Sequence, residues 1–560
     1  MVLPGLAPLR NYQRQWWRGD LLAGATVAAY LVPQVLAYAT LAGLPPVTGL
    51  WASLPALAAY ALLGTSRLLS AGPESTTAIM TAAVVGPMAA GDPRRYAGLA
   101  AALALVVGVL CLLSRLLRLG FVADLLSRPV LVGYLAGVAL IMMVSQLGKL
   151  TGVGVHGETF AAQLFSFGAG LASADLPTTV LAAAVLVFLF VLRRWVPQAP
   201  GPLLAVLAAT AVTAFAGLQE HGIQVAGEIP SGFPAPVLPD PELLPGLVWP
   251  ALGVLLVGYT DTILTARSFA GRTGERIDPN QELVALGVAN LGAGLLRGLP
   301  VSSSGSRTAL ADAAGGRTQL SSLITLVTVA ATLVFLGPVL ALFPAAALGA
   351  LVVYAAVRLI DVAGFRRLAR FRRSELTLAL AAMGGVLVLD ILYGVLLAVG
   401  LSVAEMLTRV ARPHDAVEGL VPGLAGMHDV DDYPQAHTVP GLVVYRYDSP
   451  LFFANADDFH RRALAALESQ PAPVRWFVLN TEANVEVDIT ALDAVEKLRQ
   501  DLVRRGVVPA LARVKQDLLV DLEAFGLVDR IGADRIFPTL PTAVAAYEKW
   551  LDGRGEAPAR

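Results

Sequence analysis

Long apolar stretches recur along the first three-quarters of the chain, from Leu21 to Val410, and polar residues interrupt them only briefly. Stretches such as Ala97–Leu113, Thr178–Leu192 and Leu320–Leu342 reach or approach the length that a helix needs to cross a bilayer. About fourteen such segments can be counted, several of them short or broken by glycine and proline. The pattern predicts a polytopic α-helical membrane protein with about 14 transmembrane helices.

The pattern changes near Arg412, where charged residues return and shorter elements follow. Leu442–Tyr447 and Trp476–Leu479 are strand-like, whereas Asn455–Glu468 and Ala491–Arg505 have helical periodicity. Strands that alternate with helices predict a C-terminal α/β domain. The predicted organisation is a cytoplasmic N-terminal segment at 1–19, a transmembrane domain at 20–412, a linker at 413–440, the α/β domain at 441–553 and a tail at 554–560.

The composition supports a membrane protein and argues against an enzyme. Of the 560 residues, 56% are hydrophobic and only 15% are charged. None of the six histidines has the spacing of a zinc site, and the chain lacks a Walker motif for nucleotide binding. Cys111 is the only cysteine, so one chain cannot form a disulfide. We therefore expect no enzymatic activity, no metal site, no cofactor and no nucleic-acid partner.

Basic residues are distributed unevenly along the chain. Arginines precede the first apolar segment and crowd the short loop Arg366–Arg373, whereas 196–266 contains no Lys or Arg. Because cytoplasmic loops are enriched in Lys and Arg, the N-terminus and that basic loop are predicted to be cytoplasmic and loop 217–245 external. An even number of spans places the C-terminus in the cytoplasm too.

The most polar segment of the membrane-like region is Gly298–Ala309, which contains four serines and Arg307 between two apolar stretches. A cation and several hydroxyls are costly in hydrocarbon unless they face a cavity or bind something. A helix that begins here directs free N–H groups and partial positive charge at the same place. Arginine, hydroxyls and a helix N-terminus together predict an anion site inside the membrane.

A second segment resembles this one at an offset of 231 residues, since Gly72–Ile79 aligns with Ser303–Leu310. Paired, Gly/Pro-interrupted helix starts in two halves of a chain are typical of inverted-repeat transporters. The two starts are expected to meet near the midplane, and their side chains are expected to replace the hydration shell of an oxyanion. The candidate residues are Ser75, Thr76 and Thr77 from one half and Ser304, Ser306 and Arg307 from the other.

Acidic and amide side chains inside the predicted spans are further candidates. Asp261 and Thr265 lie four residues apart and share a helix face, so they can hold one Na⁺, or Asp261 can carry one H⁺. The alternative for Asp261 is a structural ion pair with Arg307. Glu74 is left open between a proton carrier, a helix-start acid and a water-exposed group, and Gln34 is a candidate for lining the site.

Taken together, the motifs resemble those of the SulP family of sulfate permeases over essentially the whole chain. The resemblance rests on Val32–Pro46 with Gly49–Trp51, on Gly72–Ser75, on Arg297–Ala311 with Gly315–Gln319, and on a C-terminal domain similar to STAS modules with Asp488–Thr490. It implies fourteen helices in 7+7 inverted repeats, divided into core and gate domains, usually as a homodimer. It also implies that the third and tenth helices are half-helices with the anion between them.

By the same resemblance, particular residues receive roles. The anion site falls on Gln34, Glu74, Ser75, Thr76, Ser304, Gly305, Ser306 and Arg307, and the coupling-ion site falls on Asp261, Thr265 and Ser303. Thr490 stands where related STAS modules carry a phosphorylated hydroxyl, although the surrounding Asp-Ile-Thr-Ala differs from their Asp-Ser-Ser-Gly. The alternatives for this domain are a cytoplasmic protein partner, or a role in trafficking and dimer assembly.

The expected function is sulfate uptake by proton symport through an elevator mechanism, in the inner (plasma) membrane of a bacterium. Na⁺-coupled transport of bicarbonate, transport of dicarboxylates or chloride, and uncoupled anion conduction remain open. An uncoupled channel has no evident use for the buried acid Asp261. A membrane-tethered signalling scaffold is a third class, but it leaves the serines before Arg307 unexplained.

Overall fold

The computed structural model describes residues 4–10, 12–121, 127–157, 159–196, 199–220, 222–227, 229–230, 232–273 and 275–553. The predicted tail at 554–560 lies outside the described residues. Two compact units are present, Met1–Val403 and Ala404–Arg560. The first is helical almost throughout, and the second contains a sheet.

The first unit is built from helices whose bounds follow the apolar stretches of the sequence. In chain order they are α1 (Ala7–Arg10), α2 (Trp17–Leu41), α3 (Val47–Leu63), α4 (Ser75–Ala89), α5 (Pro93–Leu116), α6 (Arg128–Thr151), α7 (Phe160–Gly170), α8 (Leu176–Trp195), α9 (Gly201–Phe215), α10 (Val248–Thr273), α11 (Pro279–Leu295), α12 (Gly305–Ala313), α13 (Leu320–Phe335), α14 (Gly337–Ala341), α15 (Ala345–Leu359), α16 (Val362–Phe371) and α17 (Arg373–Ala411). Within the described ranges, six helical stretches are long and apolar enough to cross a membrane.

Helix α17 is not straight, although its 39 residues are continuously helical. A Cβ atom on Gly394 would stand 2.7 Å from the Cα of Val386. Eight residues of straight α-helix span about 12 Å, so the chain must fold back between these residues. Helix α17 therefore consists of two arms. With α2–α6, α8–α13 and α15, the two arms make fourteen helical segments in the described part of the chain.

Short segments, α4 and α12, occupy the third and tenth places. Helix α4 has 15 residues and α12 has nine, against the roughly 20 that a span requires. Each follows a short strand, β1 (Ala71–Gly72) or β2 (Ser302–Ser303). The strands pair antiparallel, with Ala71 opposite Ser303 and Gly72 opposite Ser302. This arrangement is the expected inverted repeat, and the predicted fold class is confirmed.

Glycine permits close helix crossings in this unit. A Cβ atom on Gly108 of α5 would lie 2.8 Å from the carbonyl oxygen of Gly287 on α11. A Cβ atom on Gly133 of α6 would lie 1.8 Å from the carbonyl oxygen of Ala379 on α17. Small residues let helix backbones approach inside a membrane, where van der Waals packing drives association. Larger side chains at these crossings would separate the helices.

The second unit is a six-stranded sheet with helices on both faces. Its elements are β3 (Asp415–Leu420), β4 (Met427–Asp429), β5 (Leu442–Tyr447), α18 (Ala456–Glu468), β6 (Trp476–Asn480), α19 (Ile489–Arg504), β7 (Val508–Ala512), α20 (Gln516–Phe525), α21 (Leu527–Ile531), β8 (Ile536–Phe537) and α22 (Leu540–Asp552). The strand order is β4-β3-β5-β6-β7-β8, and β5 to β8 are parallel. Alternate residues of β5 face opposite sides, so Val443 packs with α18–α20 and Leu442 packs with α22.

The predicted linker at 413–440 contains strands β3 and β4, which the sequence analysis did not predict. Strand β3 pairs antiparallel with β5, so the sheet begins before Gly441. The strand was missed because an acid occupies one of its buried positions. Glu418 is 2% exposed and accepts hydrogen bonds from Arg446 at 2.8 Å and Asn480 at 2.7 Å. Burial raises the pKa of Glu418, against the opposing effect of these two donors.

A partly buried acid of α19, Glu496, has the opposite shift, and it yields a prediction for stability. Hydrogen bonds from Arg499, and then Gln500, lower the pKa of Glu496 from 4.5 to about 2. A lowered pKa stabilises the folded state above pH 4.5, and this stabilisation is lost as the pH falls towards 2. We expect Glu496→Gln to lower the free energy of unfolding by about 2 kcal/mol at pH 7 and by progressively less below pH 4.5.

The measurement is urea unfolding of the full chain, in which hydrogen exchange in peptides from β6 and β7 reports the unfolding of the second unit. Glu468→Gln is the matched control, because Glu468 also contacts an arginine, Arg505, but its side chain is 61% exposed. We expect that substitution to change stability very little. A destabilisation by Glu496→Gln that stays the same from pH 7 to pH 3 would contradict the assigned ionisation.

Candidate functional site

The pairing of β1 with β2 brings the starts of the two short helices together. Ser304 donates its backbone N–H to the Ser70 carbonyl oxygen at 2.9 Å, and the Ser70 N–H donates to Thr308 Oγ1 at 3.1 Å. Helix α4 begins at Ser75 and α12 begins at Gly305, each immediately after this pair of strands. Helix N-termini carry free N–H groups and partial positive charge. The arrangement therefore concentrates positive potential between them.

Arg307, in the first turn of α12, is completely buried. Its Nη1 donates to Gln34 Oε1 at 3.2 Å and to the Pro73 carbonyl oxygen at 3.0 Å, and it lies 3.6 Å from Glu74 Oε2. Its Nε and Nη2 have no hydrogen-bond partner among the described residues. Leaving N–H groups of a buried cation unpaired is costly, so the guanidinium retains a strong capacity to bind an acceptor.

Gly72 and Gln34 determine where this guanidinium lies. A Cβ atom on Gly72 would stand 3.2 Å from Arg307 Nη2, so glycine leaves the space beside the unpaired nitrogen open. Gln34 lies inside α2, is 5% exposed, and donates from Nε2 to the hydroxyl of Tyr38 at 2.8 Å. That donation leaves the amide oxygen to accept from Arg307. Tyr38 therefore orients Gln34 through a contact between residues four apart on one helix face.

At the start of α4, Glu74 occupies the N-cap position and Ser75 and Thr76 begin the helix. Ser75 Oγ donates to Glu74 Oε1 at 3.2 Å, whereas Glu74 Oε2 has no hydrogen-bond partner among the described residues. The Glu74 side chain is 15% exposed. Glu74 thus lies at the start of α4, and it also lies beside the buried guanidinium of Arg307. Ser75 and Thr76 are buried.

Asp261 approaches the same region from α10. Ser303 Oγ donates to Asp261 Oδ2 at 3.1 Å, so the acid is attached to strand β2 and not to the guanidinium. Asp261 and Arg307 do not form the ion pair that was the alternative role for Asp261. The acid that lies near the guanidinium is Glu74, at 3.6 Å. Thr265 lies one turn further along α10, where a Cβ atom on Gly305 would be 3.8 Å from its Oγ1. The three predicted coupling-ion residues thus lie around one end of α12.

A cavity of about 290 Å³ reaches this region from one side. Ser306 forms part of its wall, and Gly305 and Ala309 of α12 are exposed. Ser304 Oγ lies 3.2 Å from Ser306 Oγ, which connects the cavity wall to the helix N-cap. The other residues that line the cavity are Tyr30, Leu189, Leu192, Arg193, Val196, Ala199, Gly201, Pro202, Leu310, Ala313, Tyr354 and Arg358. The cavity is positively charged, and its wall includes residues next to Arg307.

Thr490 belongs to the second unit and lies in the first turn of α19, where it is exposed. Asp488 is the N-cap of this helix and accepts from the Ala491 N–H at 2.8 Å and from the Phe453 N–H at 2.7 Å. The hydroxyl is therefore accessible at a helix N-terminus. Its predicted regulatory role stays a prediction.

Several contacts at the site were missing from the sequence analysis. Gly72 and Pro73 belong to the Gly72–Ser75 motif, but nothing in the sequence indicates that the Arg307 guanidinium lies against them. The hydroxyl of Tyr38 could have been found, because Tyr38 and Gln34 are four residues apart on a helix. The contact between Tyr30 and Arg358 could not have been found from the sequence. These residues are 328 positions apart and meet only when α2 packs against α15.

A membrane protein in which two half-helices face a buried arginine belongs to the class of anion transporters built on inverted repeats. Residues 17–382 match the Sulfate permease family, and residues 433–543 match the STAS domain. The chain belongs to the Sulfate permease family, whose members are transporters and not enzymes. It is 61% identical over 548 residues to a Probable sulfate transporter of Mycobacterium tuberculosis, covering 98% of each chain. It is 29% identical over 564 residues to Probable sulfate transporter 4.2 of Arabidopsis thaliana, covering 97% of this chain and 83% of that one.

Two solved structures share the fold. Murine Solute Carrier 26 family member A9, an anion transporter solved in the inward-facing state, superimposes with a TM-score of 0.90 at 24% identity, covering 98% of this chain and 94% of that chain. The transmembrane domain of BicA, a cyanobacterium bicarbonate transporter, gives a TM-score of 0.60 at 23% identity, covering 70% and 98%. The first similarity supports the fold of both units, and the second supports the fold of the transmembrane unit.

The narrow space beside Arg307 yields a prediction. In Gly72→Ala, the added Cβ would stand 3.2 Å from Arg307 Nη2 and would displace or cover that nitrogen. We expect anion affinity to fall roughly tenfold, the effect of losing one hydrogen bond to a charged group. The measurement is titration of purified protein with anions by isothermal calorimetry. Gly86→Ala in α4 is the matched control, because a Cβ there meets nothing within 4 Å. Equal affinities of the two variants would contradict this geometry.

Proposed function

We propose that the protein is a secondary active transporter that takes up sulfate together with protons. The observation that carries the proposal is Arg307, a fully buried cation at the meeting point of two helix N-termini, two of whose nitrogens have no hydrogen-bond partner in the described part of the chain. Guanidinium N–H groups in a fixed plane suit a tetrahedral oxyanion, and helix N-termini add donors without adding a titratable group. The 61% identity to a Probable sulfate transporter of Mycobacterium tuberculosis supports sulfate as the substrate.

Asp261 is the proposed coupling residue. It receives a hydrogen bond from Ser303, which immediately precedes Ser304, the N-cap of α12. An ionised acid so close to the anion site would repel the substrate, whereas a protonated acid would not. Binding of the proton and binding of the anion are therefore mutually favourable, which is the requirement for symport.

An elevator-type movement is proposed for transport. The anion-site and coupling-ion residues lie on α2, α4, α10 and α12 and on the strands that precede the two half-helices. Two hydrogen bonds join the C-terminal half of α2 to α15 and α6. Arg358 of α15 donates to the Tyr30 hydroxyl at 3.3 Å, and Lys149 of α6 donates to the Thr40 carbonyl oxygen at 3.2 Å. If α2 moves with the site, these contacts exchange during the cycle, and the cavity at Ser306 provides access from the cytoplasm.

The proposed assembly is a homodimer in a bacterial plasma membrane, with both termini cytoplasmic. Basic residues before α2 and in α16 support this orientation through the positive-inside rule. The STAS domain is then cytoplasmic, where Thr490 is accessible for modification or for a protein partner.

Na⁺-coupled transport of bicarbonate is the second candidate. It is favoured by the position of Asp261, Ser303 and Thr265 around the start of α12, because these oxygen atoms are of the kind that Na⁺ binds. The fold shared with a cyanobacterium bicarbonate transporter is compatible with it. Labelled sulfate, bicarbonate and a dicarboxylate, tested in parallel under imposed H⁺ or Na⁺ gradients, distinguish the two candidates.

The anion site is tested by Arg307→Ala in proteoliposomes with labelled sulfate. Because two or more hydrogen bonds to a charged group are lost, we expect affinity to fall roughly 100-fold or more. Arg94→Ala is the matched control, since Arg94 is an exposed arginine at the start of α5. Undiminished sulfate binding by Arg307→Ala would exclude this site.

Coupling is tested by Asp261→Asn under an imposed pH gradient. Asparagine can still accept the Ser303 hydrogen bond but cannot bind a proton, so we expect sulfate to bind while gradient-driven accumulation is lost. Asp92→Asn is the control, because Asp92 is a helix N-cap that asparagine can replace. Proton-driven accumulation that persists in Asp261→Asn would assign coupling to another residue.

A further inference from the structure

Helix α16 forms the last part of the candidate membrane span Ala345–Phe371. The first part of this span is α15, and only two residues separate α15 from α16. Asp361 caps the new helix, since its Oδ1 accepts from the Gly364 N–H at 2.7 Å. Leu368 packs with Val132 and Ala379, which lie near the starts of α6 and α17, and exposed arginines of α16 are too costly to place in hydrocarbon. We therefore infer that α16 lies at the level of the lipid headgroups.

The two faces of α16 have different environments. Leu368 is 7% exposed and packs with Val132 and Ala379, and Phe365 contacts the same cluster. Arg366, Arg367 and Arg370 are exposed. At about 100° per residue, these three arginines fall within an arc of about 100° on the side away from Leu368. One face thus attaches the helix to α6 and α17, and the other presents a stripe of positive charge.

Neighbouring side chains extend this stripe. Arg372 and Arg373 are exposed, and among the described residues no ion pair joins any of the five arginines to an acid. Val362 is 52% exposed and Phe371 is 65% exposed, at opposite edges of the arginine arc. The Arg372 guanidinium lies 5.3 Å from the centre of the Phe371 ring. Exposed apolar side chains beside arginines are typical of helices that lie in a membrane interface.

We propose that α16 binds anionic lipid headgroups in the leaflet at which α15 ends. The phosphates of such lipids are within reach because α16 continues from a span, and their charge is complementary to five arginines. Val362 and Phe371 would enter the acyl-chain boundary, while the guanidinium groups contact the phosphates. Because Leu368 is packed against α6 and α17, bound lipid would hold this part of the transmembrane unit at a fixed depth.

The test measures which lipids surround α16 in the full chain. Ser374 is exposed just after α16, and Cys111 is completely buried, so Ser374→Cys in a Cys111→Ala background carries one accessible thiol for a fluorophore. The labelled protein is placed in phosphatidylcholine nanodiscs with trace acceptor-labelled phosphatidylglycerol or phosphatidylcholine. We expect energy transfer to the anionic acceptor to be roughly fivefold greater, since one surface arginine contributes about that factor.

Neutralising the stripe in Arg366→Gln, Arg367→Gln and Arg370→Gln together should remove the preference, and 0.5 M salt should weaken it. Replacing the same three residues with lysine should retain it. The matched control neutralises three exposed arginines of the second unit, Arg461, Arg504 and Arg505, and should leave it unchanged. Size-exclusion profiles report whether each variant remains folded.

Two outcomes would overturn the proposal. One is equal energy transfer to labelled phosphatidylglycerol and to labelled phosphatidylcholine when all five arginines are present. The other is a preference for the anionic acceptor that persists in the folded glutamine variant, because the arginines would then not be the groups that bind the lipid.

Discussion

The pairing of two dipeptide strands, β1 and β2, is the constraint on which the rest of the site depends. Their antiparallel register places Gly72 opposite Ser302, and one helix starts directly after each strand. The pairing satisfies backbone groups of the two strands inside the membrane, where each unsatisfied group would cost several kcal/mol, and it leaves the N–H groups at the two helix starts free. With it, two weakly positive helix ends face one space, and Arg307 can be buried beside them.

Burial of Arg307 is tolerated because its surroundings supply acceptors for part of the guanidinium. Gln34, the Pro73 carbonyl and Glu74 compensate Nη1, whereas Nε and Nη2 remain available. An arginine that was fully paired with acids would have little free energy to gain from a substrate. Partial compensation by one amide, one carbonyl and one nearby acid leaves a site that is both stable and able to bind an anion.

The proposed coupling residue and the proposed anion site share one structural element. Ser303 belongs to β2 and holds Asp261, and the next residue, Ser304, caps the helix that carries Arg307. In the proposed symport, a change in the charge of Asp261 would reach the proposed anion site through this hydrogen bond and this helix cap. Such a short path would couple the two without a distant conformational change.

The sequence alone determined the membrane class, the α/β domain, the half-helix starts and Arg307 as the central cation, because apolar periodicity and the cost of polar groups in lipid are local properties. It did not determine strands β3 and β4, since the buried Glu418 hides their alternation, and its partner Asn480 lies 62 residues away. Nor did it decide whether Asp261 or Glu74 lies beside Arg307. That choice depends on how α10, β1 and β2 pack, and only the tertiary structure brings together residues that are more than 200 positions apart.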